Sequence, residues 1–134
     1  MKTFSLFIPG KPLTKGSWRP VKSKTTGKTF MKSDNKNAPF WQYTISMLVK
    51  KEMNGVVWEG PVRLIIEYYL LKPKSVKRKY PTVKPDADKL ERLVLDALTN
   101  VAYRDDAQVV DVHHRKFYGN PEGILIQGEE IYEQ

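Results

Sequence analysis

Apolar residues recur along this chain with two periods, and each period marks a kind of element. Between Pro61 and Leu71, Val62, Leu64, Ile66, Tyr68 and Leu70 alternate onto one face, while Ile65, Tyr69 and Leu71 partly fill the other. Alternation predicts a strand, and apolar residues on both faces predict a central one. Phe4 to Ile8 reads as a shorter strand, apolar on both faces and so expected to be buried, stopped by Pro9-Gly10-Lys11-Pro12. Ala107 to Tyr118 is a third, with Val110 and Val112 alternating against Asp111 and His113. After the turn Asn120-Pro121-Glu122-Gly123, Ile124 to Ile126 is a fourth. The helical period occurs twice. Trp41, Ile45, Leu48, Val49 and Met53 follow a start at Asn37-Ala38-Pro39 and end at Asn54-Gly55. Leu90, Leu93, Val94, Ala97 and Leu98 form the apolar face of a second helix from about Asp88 to Leu98. Asp88, Arg92 and Asp96 line its other side, and Leu95 points away from the stripe, a position suited to meeting a partner chain.

The remaining stretches lack such periods. Residues 13–36 are polar and basic, and read either as a small hairpin flanked by Val21 and Phe30-Met31 around Thr25-Thr26-Gly27-Lys28, or as a loop that orders on a ligand. The segment 72–84, with Pro73 and Pro81, reads as an exposed loop, and the acidic last residues are expected to fray. The expected architecture is α+β: one small domain over residues 1–134, a mixed β-sheet with two main helices packed on it.

Composition narrows the function. The 134 residues contain no cysteine, which excludes disulfides, zinc–thiolate sites and cysteine nucleophiles and fits a cytoplasmic location. No secretory apolar region and no spanning segment is present, so no membrane partner is expected. The formal net charge is +8 and unevenly spread. Residues 1–51 carry eleven Lys or Arg and a single acid, Asp34; residues 72–84 add Lys72, Lys74, Lys77, Arg78, Lys79 and Lys84 with no acid. Clustered bases suggest a polyanionic partner.

Against that background four acids stand out: Asp86 and Asp88, then Asp105 and Asp106. Pro85 biases the residue before it toward an extended backbone. If Asp86-Ala87-Asp88 is extended as well, both carboxylates project from one side. Neighbouring carboxylates repel, and a Mg²⁺ ion relieves that repulsion while binding water and phosphate. Arg92 would then stabilise charge developing on the phosphate. Plainer readings compete. Asp88-Lys89-Leu90-Glu91 resembles a capping box, Asp105-Asp106 an ordinary turn, and Asp88 and Arg92 a weak surface pair. His113 and His114 are poor general-base candidates, since a strand sends them to opposite faces and neither has an evident carboxylate to orient it. Asp96 reads as a solvated helix residue rather than a ligand. No glycine-rich phosphate loop occurs.

Three segments in order, Lys84-Pro85-Asp86-Ala87-Asp88, Leu95-Asp96-Ala97-Leu98 and Arg104-Asp105-Asp106-Ala107-Gln108-Val109-Val110, resemble the RusA family of Holliday junction resolvases. Ile8-Pro9-Gly10-Lys11-Pro12 with Lys15 and Arg19 resembles that family's opening strand and basic loop. The resemblance implies a homodimeric, Mg²⁺-dependent endonuclease, with Mn²⁺ as a substitute and no small-molecule cofactor. It would nick four-way branched DNA symmetrically in recombination and repair. It places the essential acids at Asp86, Asp88 and Asp106, with Asp105 beside them as a further metal ligand. Backbone grip would come from Lys15, Arg19, Lys74, Lys77, Arg78, Lys79, Lys84 and Lys89. Two positions depart from the family pattern: Lys89 stands where Asn is common and Arg92 where a functional Lys is common. Arg does not replace Lys as a point charge or proton donor. The competing reading is a non-catalytic basic DNA- or RNA-binding module whose acids only cap helices and turns.

Overall fold

The structure is a computed structural model and describes residues 2–16, 18–33 and 36–132, without the side chains at 18, 19 and 31–33. The strong alternation of residues 61–71 produces strand β4, Val62–Leu70, whose Val62, Leu64, Ile66 and Tyr68 are buried. It is central, as its two-sided apolar pattern predicts. The sheet order is β1 (Thr3–Pro9), β6 (Gly123–Glu130), β4, β5 (Val109–Tyr118), with β2 (Trp18–Lys22) and β3 (Thr29–Ser33) forming a separate hairpin. Only β5 runs parallel to β4; the pairings of β6 with β1 and with β4 are antiparallel. The sheet is therefore mixed, and the fold is α+β as expected.

Helix α1, Ala38–Glu52, starts with Pro39 in its first turn, where the missing N–H costs nothing. It buries Ala38, Trp41, Ile45 and Val49, and the chain leaves it through Asn54 and Gly55 at positive φ. Helix α2, Ala87–Leu98, buries Leu90, Leu93, Val94, Ala97 and Leu98. Both helices lie on the same face of the sheet and share one core with Phe4, Ile8, Ile124 and Ile126. Ser46 donates to the Ala97 carbonyl at 2.6 Å and ties α1 to α2. Burying roughly this many large side chains, each worth about 1.5–3 kcal/mol, supplies the driving force for the fold. The β4–α2–β5 unit is a parallel crossover, so α2 runs antiparallel to both strands.

Three expectations change. β1 is an edge strand with one buried face: Phe4 and Ile8 are buried while Phe7 is 39% exposed. Leu48 is 37% exposed, since the buried row of α1 follows the i, i+4, i+8 line of Trp41, Ile45 and Val49. The last strand runs on to Glu130, and the expected fraying at residues 133 and 134 lies outside the described residues. Lys2 holds Glu130 at 2.9 Å, and its carboxylate also accepts from the Glu59 and Gly60 amides. Of the two readings of the basic stretch before α1, the hairpin is the one that forms, with Val21 opposite Phe30.

Candidate active site

The expected site residues lie on three connected pieces: the loop from 71 to 86, helix α2, and the turn that leads into β5. The loop carries Lys74, Lys77, Arg78, Lys79 and Lys84, all exposed, and delivers the chain to Asp86. Asp86 is the N-cap of α2, with an extended backbone (φ −72°, ψ 140°) and no side-chain capping bond. Asp88 sits inside the first helical turn and is exposed. The extended Asp86-Ala87-Asp88 segment is thus not formed, since helical geometry begins at Ala87. The capping-box reading of Asp88 fails as well: the cap falls two residues earlier, and neither carboxylate is consumed by it. Lys89 places its ammonium 3.9 Å from Asp86. Arg92 follows Asp88 by four residues, is exposed, and makes no ion pair among the described residues.

The second acidic pair is built differently. Asp105 caps a single 3₁₀ turn, Asp106–Gln108, accepting the Ala107 amide at 2.9 Å. Gln108 closes the turn: its carbonyl oxygen accepts from the Arg104 and Asp105 amides, and its amide nitrogen donates to the Trp58 and Gly60 carbonyls at 3.0 Å each. The Asp-Asp-x-Gln segment is therefore locked to the approach to β4. Asp106 is exposed and its carboxyl is pushed above the usual carboxylate range, first by a hydrogen bond with Asp105, then by desolvation, then by the charges of Asp105 and Asp96. A cation bound between neighbouring carboxylates would relieve that repulsion.

Asp96, expected to be a solvated helix residue rather than a ligand, is half-buried near this end of α2. It pairs with Lys15 from the loop after β1, and its charge reaches Asp106 and the buried Tyr103. Burial pushes the Tyr103 phenol up, and its hydroxyl donates to the Leu95 carbonyl at 2.7 Å. The sequence signal for Asp96 was its place in Leu95-Asp96-Ala97-Leu98; for Gln108 it was the third position after Asp105. Lys15 is thus engaged with an acid of its own chain. Lys89 is exposed in the first turn of α2, and the side chain of Arg19, on β2, lies outside the described residues. The histidines each meet a carboxylate, contrary to expectation. His113 lies 3.1 Å from Asp111, and Glu91 comes within 3.4 Å of His114 Nδ1, too poorly aligned to be a hydrogen bond.

One chain does not gather the four acids. Asp88 and Asp96 are eight residues apart on α2, about 12 Å along its axis at 1.5 Å per residue. Asp106 lies at the Asp96 end, where β5 begins, while Asp86 and Asp88 lie at the end reached from β4. Among the described residues, no three acidic or histidine side chains are grouped to hold a metal ion. The donor chemistry still suits a hard divalent cation: an Asp86 carboxylate that makes no capping bond, the exposed carboxylates of Asp88 and Asp106, and no thiol in the chain.

The family described as endodeoxyribonuclease RusA matches residues 9–127. The uncharacterized protein YqaN of Bacillus subtilis (strain 168) is 32% identical over 98% of this chain and 99% of its own length. The family match runs from the last residue of β1 into β6 and includes both acidic pairs, the basic loop and Gln108. With most of its length inside that match, the chain belongs to the RusA family of endodeoxyribonucleases, enzymes that hydrolyse phosphodiester bonds within DNA.

Proposed function

We propose that the protein is a divalent-metal-dependent endonuclease that resolves four-way DNA junctions as a homodimer, by paired symmetric nicks, in DNA recombination and repair. The observation that carries this reading is the state of Asp86, Asp88 and Asp106: exposed carboxylates in a protein of net charge +8, none of them spent on capping a helix. The competing binding-module reading needs those acids as caps.

Asp86, Asp88 and Asp106 would hold Mg²⁺, with Mn²⁺ as a substitute. Bound there, the cation supplies Lewis-acid charge at the phosphate and makes water a better nucleophile. Asp105 keeps the 3₁₀ turn closed and so aims Asp106. Arg92, on the same helix as Asp88 and without an ion-pair partner among the described residues, neutralises charge building on the phosphoryl oxygens. Lys74, Lys77, Arg78, Lys79, Lys84 and Lys89 grip backbone phosphates, which positions the strand without reading its sequence. In the overall reaction a water oxygen bonds to phosphorus, the bond to the leaving oxygen breaks, and that oxygen takes up a proton.

The two acidic groups stand at opposite ends of α2, and a second copy offers a way to join them. If two copies meet about a two-fold axis with their α2 helices antiparallel, Asp86 and Asp88 of each approach Asp105 and Asp106 of the other. Two equivalent sites result, matching the two opposed strands of a four-way junction. The test is cleavage of a labelled synthetic junction, with linear duplex as control. Wild type should make symmetric, Mg²⁺-dependent nicks, and Asp86→Asn should cut at least about a hundredfold more slowly while binding undiminished. Tight binding without cutting in Mg²⁺ or Mn²⁺ would leave the binding-module reading instead.

A further inference from the structure

Directly before Asp86 the chain borders a cleft that hydrolysis itself does not use. The loop after β4 folds over the end of the sheet and encloses a cavity of about 350 Å³. Leu70, Val83 and the ring of Tyr118 line it together with Pro81 and Pro85, so much of its wall is apolar and stiff. Lys11, Arg78 and Lys84 also line it, with Glu122 among them. The Arg78 guanidinium stands 5.8 Å from the centre of the Tyr118 ring, and the Lys72 ammonium 5.7 Å from it. The volume is at the small end of the range for ligand pockets, about 300–1,000 Å³. It is far too small for a duplex.

The composition points to one kind of occupant. A lone phosphate needs donors all round, and an apolar peptide gains nothing from three cations. A nucleotide has a flat apolar face and an anionic linker. Aromatic rings and guanidinium planes are the surfaces on which unpaired bases stack, and lysines hold the phosphates beside them. The cleft is also joined to the acidic site by the chain itself, since Lys84 and Pro85 line it and the next residue is Asp86. At a branch point base stacking is interrupted, so a base there leaves its stack at least cost.

We propose that this cleft receives one unstacked nucleotide adjoining the scissile phosphate and thereby gives the cut a sequence preference. The proposal rests on the endonuclease reading and names a subsite for it. The ring of Tyr118 matters here, not its hydroxyl, which is buried without a hydrogen-bond partner among the described residues.

The experiment places a fluorescent base, 2-aminopurine or pyrrolocytosine, at each nucleotide flanking the cut in turn, and records emission on binding without divalent metal. Wild type and Tyr118→Phe should change the emission severalfold at one position. Val83→Trp, which fills the cleft from a side chain that is 49% exposed, should abolish the change, as should Tyr118→Leu. Thermal melts confirm that the variants are folded. On a panel of junctions varied at the flanking positions, Val83→Trp should cut all sequences at similar rates, losing about tenfold at the sequence wild type prefers. No emission change at any position overturns the proposal, as does an unaltered preference in folded Val83→Trp. If wild type cuts no junction, the endonuclease reading fails, and the emission series still decides whether the cleft takes a base.

Discussion

Glu130 shows how much a single acid can do near the end of a strand. Its carboxylate accepts from Lys2 and from two backbone amides, and these bonds, led by that of Lys2, hold it below the usual carboxylate range. A depressed carboxyl pKa contributes stability that is fully present above the unfolded value and is lost as pH falls through the folded one. Glu130→Gln should therefore lower stability near neutral pH by about 1–2 kcal/mol, the worth of charge-assisted bonds. The gap between variant and wild type should close as thermal melts are carried into acid. Asp111 follows the same sign, held down chiefly by Arg63 at 2.8 Å. Arg92 stands where the resemblance to the family leads one to expect a lysine. Arg92→Ala should lower kcat about a hundredfold while changing DNA affinity little, as expected for a group acting on developing charge. Arg92→Lys should restore most of that loss. Equal losses in the two variants would mean that the guanidinium fork, and not the charge, is needed.

At the scale of elements, local pattern and tertiary packing can be separated. α1 and α2 were legible because their apolar rows repeat every 3.6 residues, and Ile45→Ala in the first row should cost about 2–5 kcal/mol in denaturant unfolding. β1 was legible to within one residue at each end, whereas the run of β6 beyond Ile126 was not. Gly128, inside β6, faces Phe4 across the strand pair, and an added Cβ would overlap the Phe4 ring. Only the pairing reveals that close approach. The hairpin β2–β3 pairs within itself and lies outside the four-stranded sheet. Replacing residues 20–31 with a short Gly-Ser link should leave the melting temperature almost unchanged. Because Lys22, Lys24 and Lys28 would go with it, junction binding should weaken, and the salt dependence of log K should fall by up to about three units of slope.

The whole molecule carries a basic surface interrupted by two acidic ends of one helix. If a partner copy joins those ends, two inactive variants can repair each other. Asp86→Asn and Asp106→Asn should each fail to bind Mn²⁺ tightly in paramagnetic resonance titrations. After mixing under conditions that exchange subunits, half the dimers are mixed, and each mixed dimer keeps one intact site of two. About a quarter of the wild-type Mn²⁺ sites and of the nicking activity should return, with nicks no longer paired. A mixture as inert as its components, beside an active wild type, would place all the ligands of a site within one chain.

The sequence by itself determined the elements and the chemistry they carry. Periods of two and 3.6 placed the central strand and both helices, clustered lysines called for a polyanion, and paired aspartates called for a cation. These properties depend on residues close in sequence. Tertiary structure decided which acids are neighbours. The parallel pairing of β4 with β5 turns α2 antiparallel to them, which carries Asp106 to Asp96 and away from Asp86. It also showed that Gln108 braces the acidic turn against Trp58 and Gly60, and that the basic loop closes a cleft against Tyr118. Contacts across some 50 residues of chain leave no periodic trace, because any spacing that folds back to the same place serves equally well.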